Sequence, residues 1–155
     1  MRRLAVILLL LVFVAVPFSA SLAQTASCPV GGFSLSLPDS FREKSWSASE
    51  APDLCFYWQG DGITVQGYAV YLGEVAGSDL FQVLTGSETE SGMRKVNGIS
   101  MLYALGTDSG GSYAMYSWMD RGNNVTLYFY YKEGDASAPG MINDIMGTIS
   151  FDAGH

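Results

Sequence analysis

Apolar positions along the chain follow three patterns: an unbroken run at the start, period-two alternation through the middle, and helical spacing near the end. The run extends from Leu4 to Val16, preceded by Arg2 and Arg3 and interrupted by Pro17. Strict alternation begins at Phe33-Ser34-Leu35-Ser36-Leu37 and stops at Pro38-Asp39, as a strand with one buried face should. Leu54 to Trp58 predicts a second strand, closed by the turn Gly60-Asp61-Gly62, and Ile63 to Leu72, rich in β-branched and aromatic residues, predicts a third. Between these, the small and polar stretch Ser45–Pro52 reads as loop.

Ser78, Asp79, Leu80, Phe81 and Leu84 then predict a short helix, capped by Ser78 and stopped by Gly86. After a polar stretch, Met93 to Val96 and Ile99 to Leu105 flank Asn97-Gly98. That dipeptide permits positive φ at both central turn positions and signals a hairpin. Gly110-Gly111 and Gly122-Asn123 separate two further strands, Ser112 to Met119 and Val125 to Tyr131, so the last three strands read as an antiparallel meander. Met141, Ile142, Ile145 and Met146 fall on one face of a predicted helix. Ser137 is its expected cap, Pro139 lies in its first turn and Gly147 is its expected stop. Ile149 and Phe151 alternate in a final strand. No repeat or linker interrupts the pattern. The expected fold is a single α+β domain, a twisted antiparallel sheet with short helices on its faces.

The opening run changes the picture of where the protein works. A charged start, a short apolar middle and Ser21-Leu22-Ala23, with small residues where a signal peptidase reads, form a secretory signal peptide over residues 1–23. A spanning helix needs roughly 20 apolar residues and this run is shorter, so no membrane span is expected after cleavage. The leader has a bacterial character, and the expected location of residues 24–155 is secreted or extracytoplasmic, at the cell envelope. In an oxidising space, Cys28 and Cys55 are expected to form one disulfide. It would close a loop of about 28 residues and stabilise by roughly 3–4 kcal/mol in the chain-entropy model.

Charge and chemistry remove several functions. The formal net charge is −7, and loss of Arg2 and Arg3 with the leader makes the domain more acidic still. Such a surface repels nucleic acid and anionic lipid. The single histidine is His155, at the chain end, where a catalytic imidazole cannot be held to the tolerance a triad needs. One histidine and two bonded cysteines leave no typical zinc site, no spaced Asp-x-Asp loop suggests calcium, and no glycine-rich loop suits a phosphate. Neither a metal nor a cofactor is expected. Glu88 and Glu90 would share a strand face and could serve carboxylate-based hydrolysis, the weakest reading, against the simpler one of solvated loop charges. The sequon Asn124-Val125-Thr126 lies at a strand start and reads as a chance match.

The aromatic residues of the meander carry the remaining signal. Tyr116 and Trp118 share a face of one strand, and Tyr128 and Tyr130 share a face of the next. Such a row stacks against sugar rings or anchors a protein, because each ring offers apolar area and a hydrogen-bonding edge. The competing reading, core and cross-strand packing, carries more weight.

Both ends of the domain resemble a known superfamily. Gly32-Phe33-Ser34-Leu35-Ser36-Leu37-Pro38-Asp39-Ser40-Phe41 resembles the start of PsbP-like domains, in which Phe and alternating hydrophobics precede P-x-x-F/W. Met141 to Phe151 resembles their last helix and strand. That superfamily includes the PsbP subunit of photosystem II, a Ran-binding nuclear-import factor and bacterial DcrB-type envelope proteins. The resemblance implies an α/β/α sandwich and a non-catalytic role as assembly factor or accessory subunit, and it transfers no functional residue. The basic surface used in photosystem binding has no match here, a signal peptide excludes a nuclear role, and the Cys28–Cys55 pair is no hallmark of the group. The expected function is therefore that of an exported accessory or protein-interaction module with an unidentified protein partner or extracellular ligand. The alternative is a small-ligand or glycan-binding module that uses the aromatic row.

Overall fold

A computed structural model describes residues 22–73 and 84–153. The described strands are β1 (Leu22–Cys28), β2 (Phe33–Pro38), β3 (Arg42–Glu43), β4 (Leu54–Gly60), β5 (Ile63–Tyr71), β6 (Glu88–Val96), β7 (Ile99–Asp108), β8 (Gly111–Asp120), β9 (Asn123–Tyr131) and β10 (Ser150–Phe151). The described helix is α1 (Ala138–Gly147). The helix expected from Ser78 falls largely outside the described residues; Leu84 and Gly86 at its end are not helical.

Seven strands form one antiparallel sheet in the order β3-β4-β5-β9-β8-β7-β6, while β1, β2 and β10 form a separate three-stranded sheet. The sequence predicts one sheet. The split follows from β2, whose Phe33, Leu35 and Leu37 all bury on one side while Ser34 and Ser36 stay partly exposed on the other. That apolar face packs with α1 onto one face of the large sheet. There Phe33, Leu35, Ile142 and Ile145 share a single core with Val65, Tyr116, Trp118, Val125, Leu127 and Phe129. We call this the inner face. A smaller cluster of Leu102, Ala104, Tyr113 and Met115 lies on the opposite face, with Leu84, Tyr128 and Tyr130 packed against it. The Cys28–Cys55 disulfide ties β1 to β4 and so links the two sheets.

Three hairpins turn on a residue followed by glycine, each pair with positive φ: Asp61-Gly62 at 48° and 76°, Asn97-Gly98 at 45° and 91°, and Arg121-Gly122 at 47° and 79°. Both φ values are positive because only that turn geometry matches the right-handed twist of the flanking strands. The Asn97 side chain then reaches across to donate to the carbonyl oxygens of Gly147 (3.2 Å) and Ile149 (2.8 Å), satisfying the open end of α1.

Both expected ends of α1 differ in detail. Ser137 occupies the N-cap position without capping; it has helical backbone angles, and its hydroxyl and N–H donate to Asp135. Gly147 is the last helical residue and does not stop the helix. Thr148 closes it, its hydroxyl donating to the Ile145 carbonyl at 2.6 Å. Strand β1 was not expected, because Gln24-Thr25-Ala26-Ser27 shows little apolar patterning; its pairing comes from β2, with Gln24 opposite Leu37 and Cys28 opposite Phe33.

Candidate functional site

The four aromatic residues expected to form one row are divided between two faces. In the β8–β9 hairpin Trp118 lies opposite Val125, Tyr116 opposite Leu127, Met115 opposite Tyr128 and Tyr113 opposite Tyr130. A two-residue turn always pairs residues whose numbers sum to an odd value. Even-numbered residues of β8 therefore share a face with odd-numbered residues of β9. Tyr116 and Trp118 are consequently on the inner face, both almost fully buried. Trp118 packs edge-on against Phe33 (5.1 Å between centroids) and Phe151 (5.9 Å), so it is a core residue joining the two sheets.

Tyr128 and Tyr130 remain together on the outer face, stacked at 5.7 Å, with Tyr113 edge-on to both and Tyr68 edge-on to Tyr128. The hydroxyl of Tyr130 donates to Asp108 (3.1 Å) and that of Tyr113 to Glu88 (3.2 Å). Burial, reinforced by neighbouring phenols and carboxylates, pushes the Tyr128 hydroxyl up to about 12 and the Tyr130 hydroxyl well above its usual value. Tyr128 and Tyr130 are therefore neutral at ordinary pH, and two of the four hydroxyls, those of Tyr113 and Tyr130, donate to carboxylates of this chain. The arrangement is a packed tyrosine cluster in which the hydroxyls of Tyr68, Tyr113 and Tyr130 donate to Gln66, Glu88 and Asp108.

Glu88 and Glu90 do not form a pair either. The ladder shifts register between them, with Glu88 opposite Gly106 and Glu90 opposite Leu105. Each carboxylate is thereby directed to a different face. Glu88 accepts from Tyr113 on the outer face and from Thr85 and Gly86. Glu90 faces inward to Arg94, 3.4 Å away. Among the described residues, no group of three or more His, Cys, Asp or Glu side chains could hold a metal ion.

What the chain does assemble is a cleft of about 300 Å³ on the inner face, where α1 and the three-stranded sheet leave the β6–β7 end of the large sheet uncovered. Leu105, Ala114 and Tyr116 from the sheet and Pro139 and Ile142 from the first turns of α1 make its walls, and Tyr103, Tyr131 and Asn143 add polar groups. Arg94 lies over the Tyr103 ring, its guanidinium carbon 3.3 Å from the centroid, and its charge is matched by Glu90. Tyr103 itself packs against Tyr116 at 5.1 Å. Burial raises the hydroxyls of Tyr103 and Tyr116, with the Arg94 charge working against that rise, so both are neutral donors.

Of the residues singled out from sequence for chemistry, Tyr116 and Glu90 line this cleft. Glu90 and Arg94 come together because they lie on the same face of one strand, two positions either side of Gly92, opposite Tyr103. That i, i+4 spacing across a glycine was visible in the sequence. The contribution of α1 was not, since it depends on how the last helix returns to the sheet.

No family model matches the sequence, and no curated protein matches it. Among solved structures, the solution structure of cyanobacterial PsbP (CyanoP) from Synechocystis sp. PCC 6803 superposes with a TM-score of 0.62 at 9% identity. The match covers 83% of this chain and 91% of that one. A crystal structure of a protein from Bacteroides thetaiotaomicron VPI-5482 superposes with a TM-score of 0.56 at 12% identity, over 84% of this chain and 49% of that longer one. These likenesses, at such low identity, concern the backbone arrangement, and they agree with the Phe33–Phe41 and Met141–Phe151 motifs: the chain has a PsbP-like fold.

Proposed function

We propose that residues 24–155 are an exported, non-catalytic accessory domain of the bacterial cell envelope that works by binding, and that the α1–sheet cleft is its binding site. The observation that carries this reading is the cleft itself. It sets a guanidinium held over an aromatic ring, a matched carboxylate, three phenols and an amide around an apolar floor, the mixed lining of a binding pocket. Export rests on the leader at 1–23. Cleavage after Ala23 would remove the Leu22–Pro38 pairing and leave the β1 pairs from Gln24 to Cys28 in place. The disulfide suits an oxidising compartment. Among the described residues no helix is long and apolar enough to cross a membrane.

The test uses the oxidised domain as bait against envelope and secreted fractions, compared with Gly92→Leu. A Cβ at Gly92 meets nothing within 4 Å and shares a strand face with Glu90 and Arg94, so a leucine there would project between them; matching far-ultraviolet circular dichroism and thermal melts establish that the variant is folded. The reading predicts one reproducible partner or ligand, lost with Gly92→Leu. Equal capture by both proteins would place the binding site elsewhere.

A further inference from the structure

We infer that the cleft takes one uncharged sugar ring, a pyranose read through neighbouring hydroxyls, and this inference rests on the cleft being the binding site. Arg94 carries the cleft's positive charge, but Glu90 lies 3.4 Å from it and the protein as a whole is acidic, so no surplus of positive potential favours an anion. A guanidinium beside a carboxylate instead offers a donor and an acceptor side by side. Adjacent hydroxyls satisfy that pattern, because each can accept from Arg94 or donate to Glu90. The contact with Tyr103 holds the guanidinium in place, so little side-chain entropy is lost when a ligand arrives.

The remaining lining fits the same chemistry. Sugar rings have polar edges and apolar faces. The cleft sets Leu105, Ala114 and Ile142 as an apolar wall beside phenols and the Asn143 amide that can each donate and accept. Tyr103 and Tyr116, whose rings are buried, keep their protons through the physiological range, so wherever their edges line the cleft they are hydroxyl donors. A volume of about 300 Å³ lies at the small end of ligand sites and suits a single ring, which could be a free monosaccharide or the terminal unit of an envelope glycan.

The experiment is a backbone-amide NMR titration of the oxidised domain with glucose, mannose and N-acetylglucosamine, with sodium acetate as an anion of similar reach. At least one sugar is expected to saturate, with Kd on the order of 1 mM and shifts centred on Glu90, Arg94, Tyr103, Tyr116 and Asn143. Arg94→Gln and Asn143→Ala, both at partly or fully exposed positions, are expected to weaken it about tenfold or more. A chitin-type disaccharide or mannobiose that binds more tightly than its monomer identifies a glycan terminus; equal binding identifies the free sugar. Absence of saturation by all three sugars, saturation by acetate alone, or shifts confined to the outer face would each overturn the inference. Loss of partner capture by Gly92→Leu alongside a flat sugar titration would remove the sugar and leave the cleft as the site.

Discussion

Replacing Trp118 tests the division of the aromatic row most sharply. The indole is 1% exposed and lies between Phe33 of the small sheet and Phe151 of β10, so its removal opens a void where the two sheets meet. Truncation of a buried Trp to Ala costs about 3–5 kcal/mol, the lost transfer energy plus a cavity that a two-sheet interface cannot close. Trp118→Phe should cost far less, about 1–2 kcal/mol. It keeps a ring against Phe33, and it removes an indole N–H that has no acceptor among the described residues, whose burial unpaired carries about 1–3 kcal/mol of its own. Urea unfolding followed by far-ultraviolet circular dichroism, with the disulfide intact, gives both values from shifts in midpoint at constant slope. With a slope of about 1–3 kcal/mol/M, the Ala variant should lose more than about 1 M in midpoint. Tyr128→Ala, on the half-buried outer face, should lose less than Trp118→Ala. An Ala variant within about 1 kcal/mol of wild type, or Tyr128→Ala more damaging than Trp118→Ala, would refute the assignment of Trp118 to the inner core.

Other consequences can be measured alongside. Gly67→Ala would bring a Cβ to 2.5 Å from the Phe56 ring and should cost about 1–3 kcal/mol, whereas Gly92→Ala, with open space, should stay within about 0.5 kcal/mol; equal effects in thermal melts would contradict the packing described. Reducing Cys28–Cys55 should lower stability by roughly 3–4 kcal/mol, read as a drop in urea midpoint of the Cys28→Ser, Cys55→Ser double variant, and an unchanged midpoint would remove the bridge from the account. Tyr128 is raised from 10.0 to about 12, and Tyr130, Tyr116, Tyr103 and Tyr68 are raised as well. The unfolded chain therefore loses these protons first as pH rises. The stabilisation is fully present below pH 10 and is lost between about pH 10 and 12, so the tyrosinate absorbance of these five phenols should appear late and together with unfolding. Complete tyrosinate formation near pH 10 without loss of structure would contradict that burial.

Much of the sheet could be read from local pattern. The alternation of Phe33–Leu37 and the Asn97-Gly98 turn are local facts, and both hold in the structure. Strand β6 begins well before Met93 because it lies at the sheet edge; the Glu88-Thr89-Glu90-Ser91 stretch is exposed or half-exposed on both faces and so carries no apolar alternation. The aromatic row failed for a different reason. Parity within β8 and within β9 was sound, but the two-residue turn that joins them fixes the relation between them, and it assigns Tyr116 and Tyr128 to opposite faces. Glu88 and Glu90 failed through a register shift that no residue type announces. The cleft depends on α1 docking over β8 and β9 through Ile142 and Ile145, a contact between segments distant in sequence.

The most direct test of the cleft is photo-crosslinking in the producing cell. Asn143, exposed on α1 at the cleft, is replaced by a photoreactive phenylalanine, and Glu50, in the loop before β4 at the opposite side of the sheet, serves as the control position. Binding in the cleft predicts a discrete adduct from position 143 that is absent from position 50 and disappears when Gly92→Leu is added. An adduct from position 50 alone, or one from position 143 that survives Gly92→Leu, would contradict it.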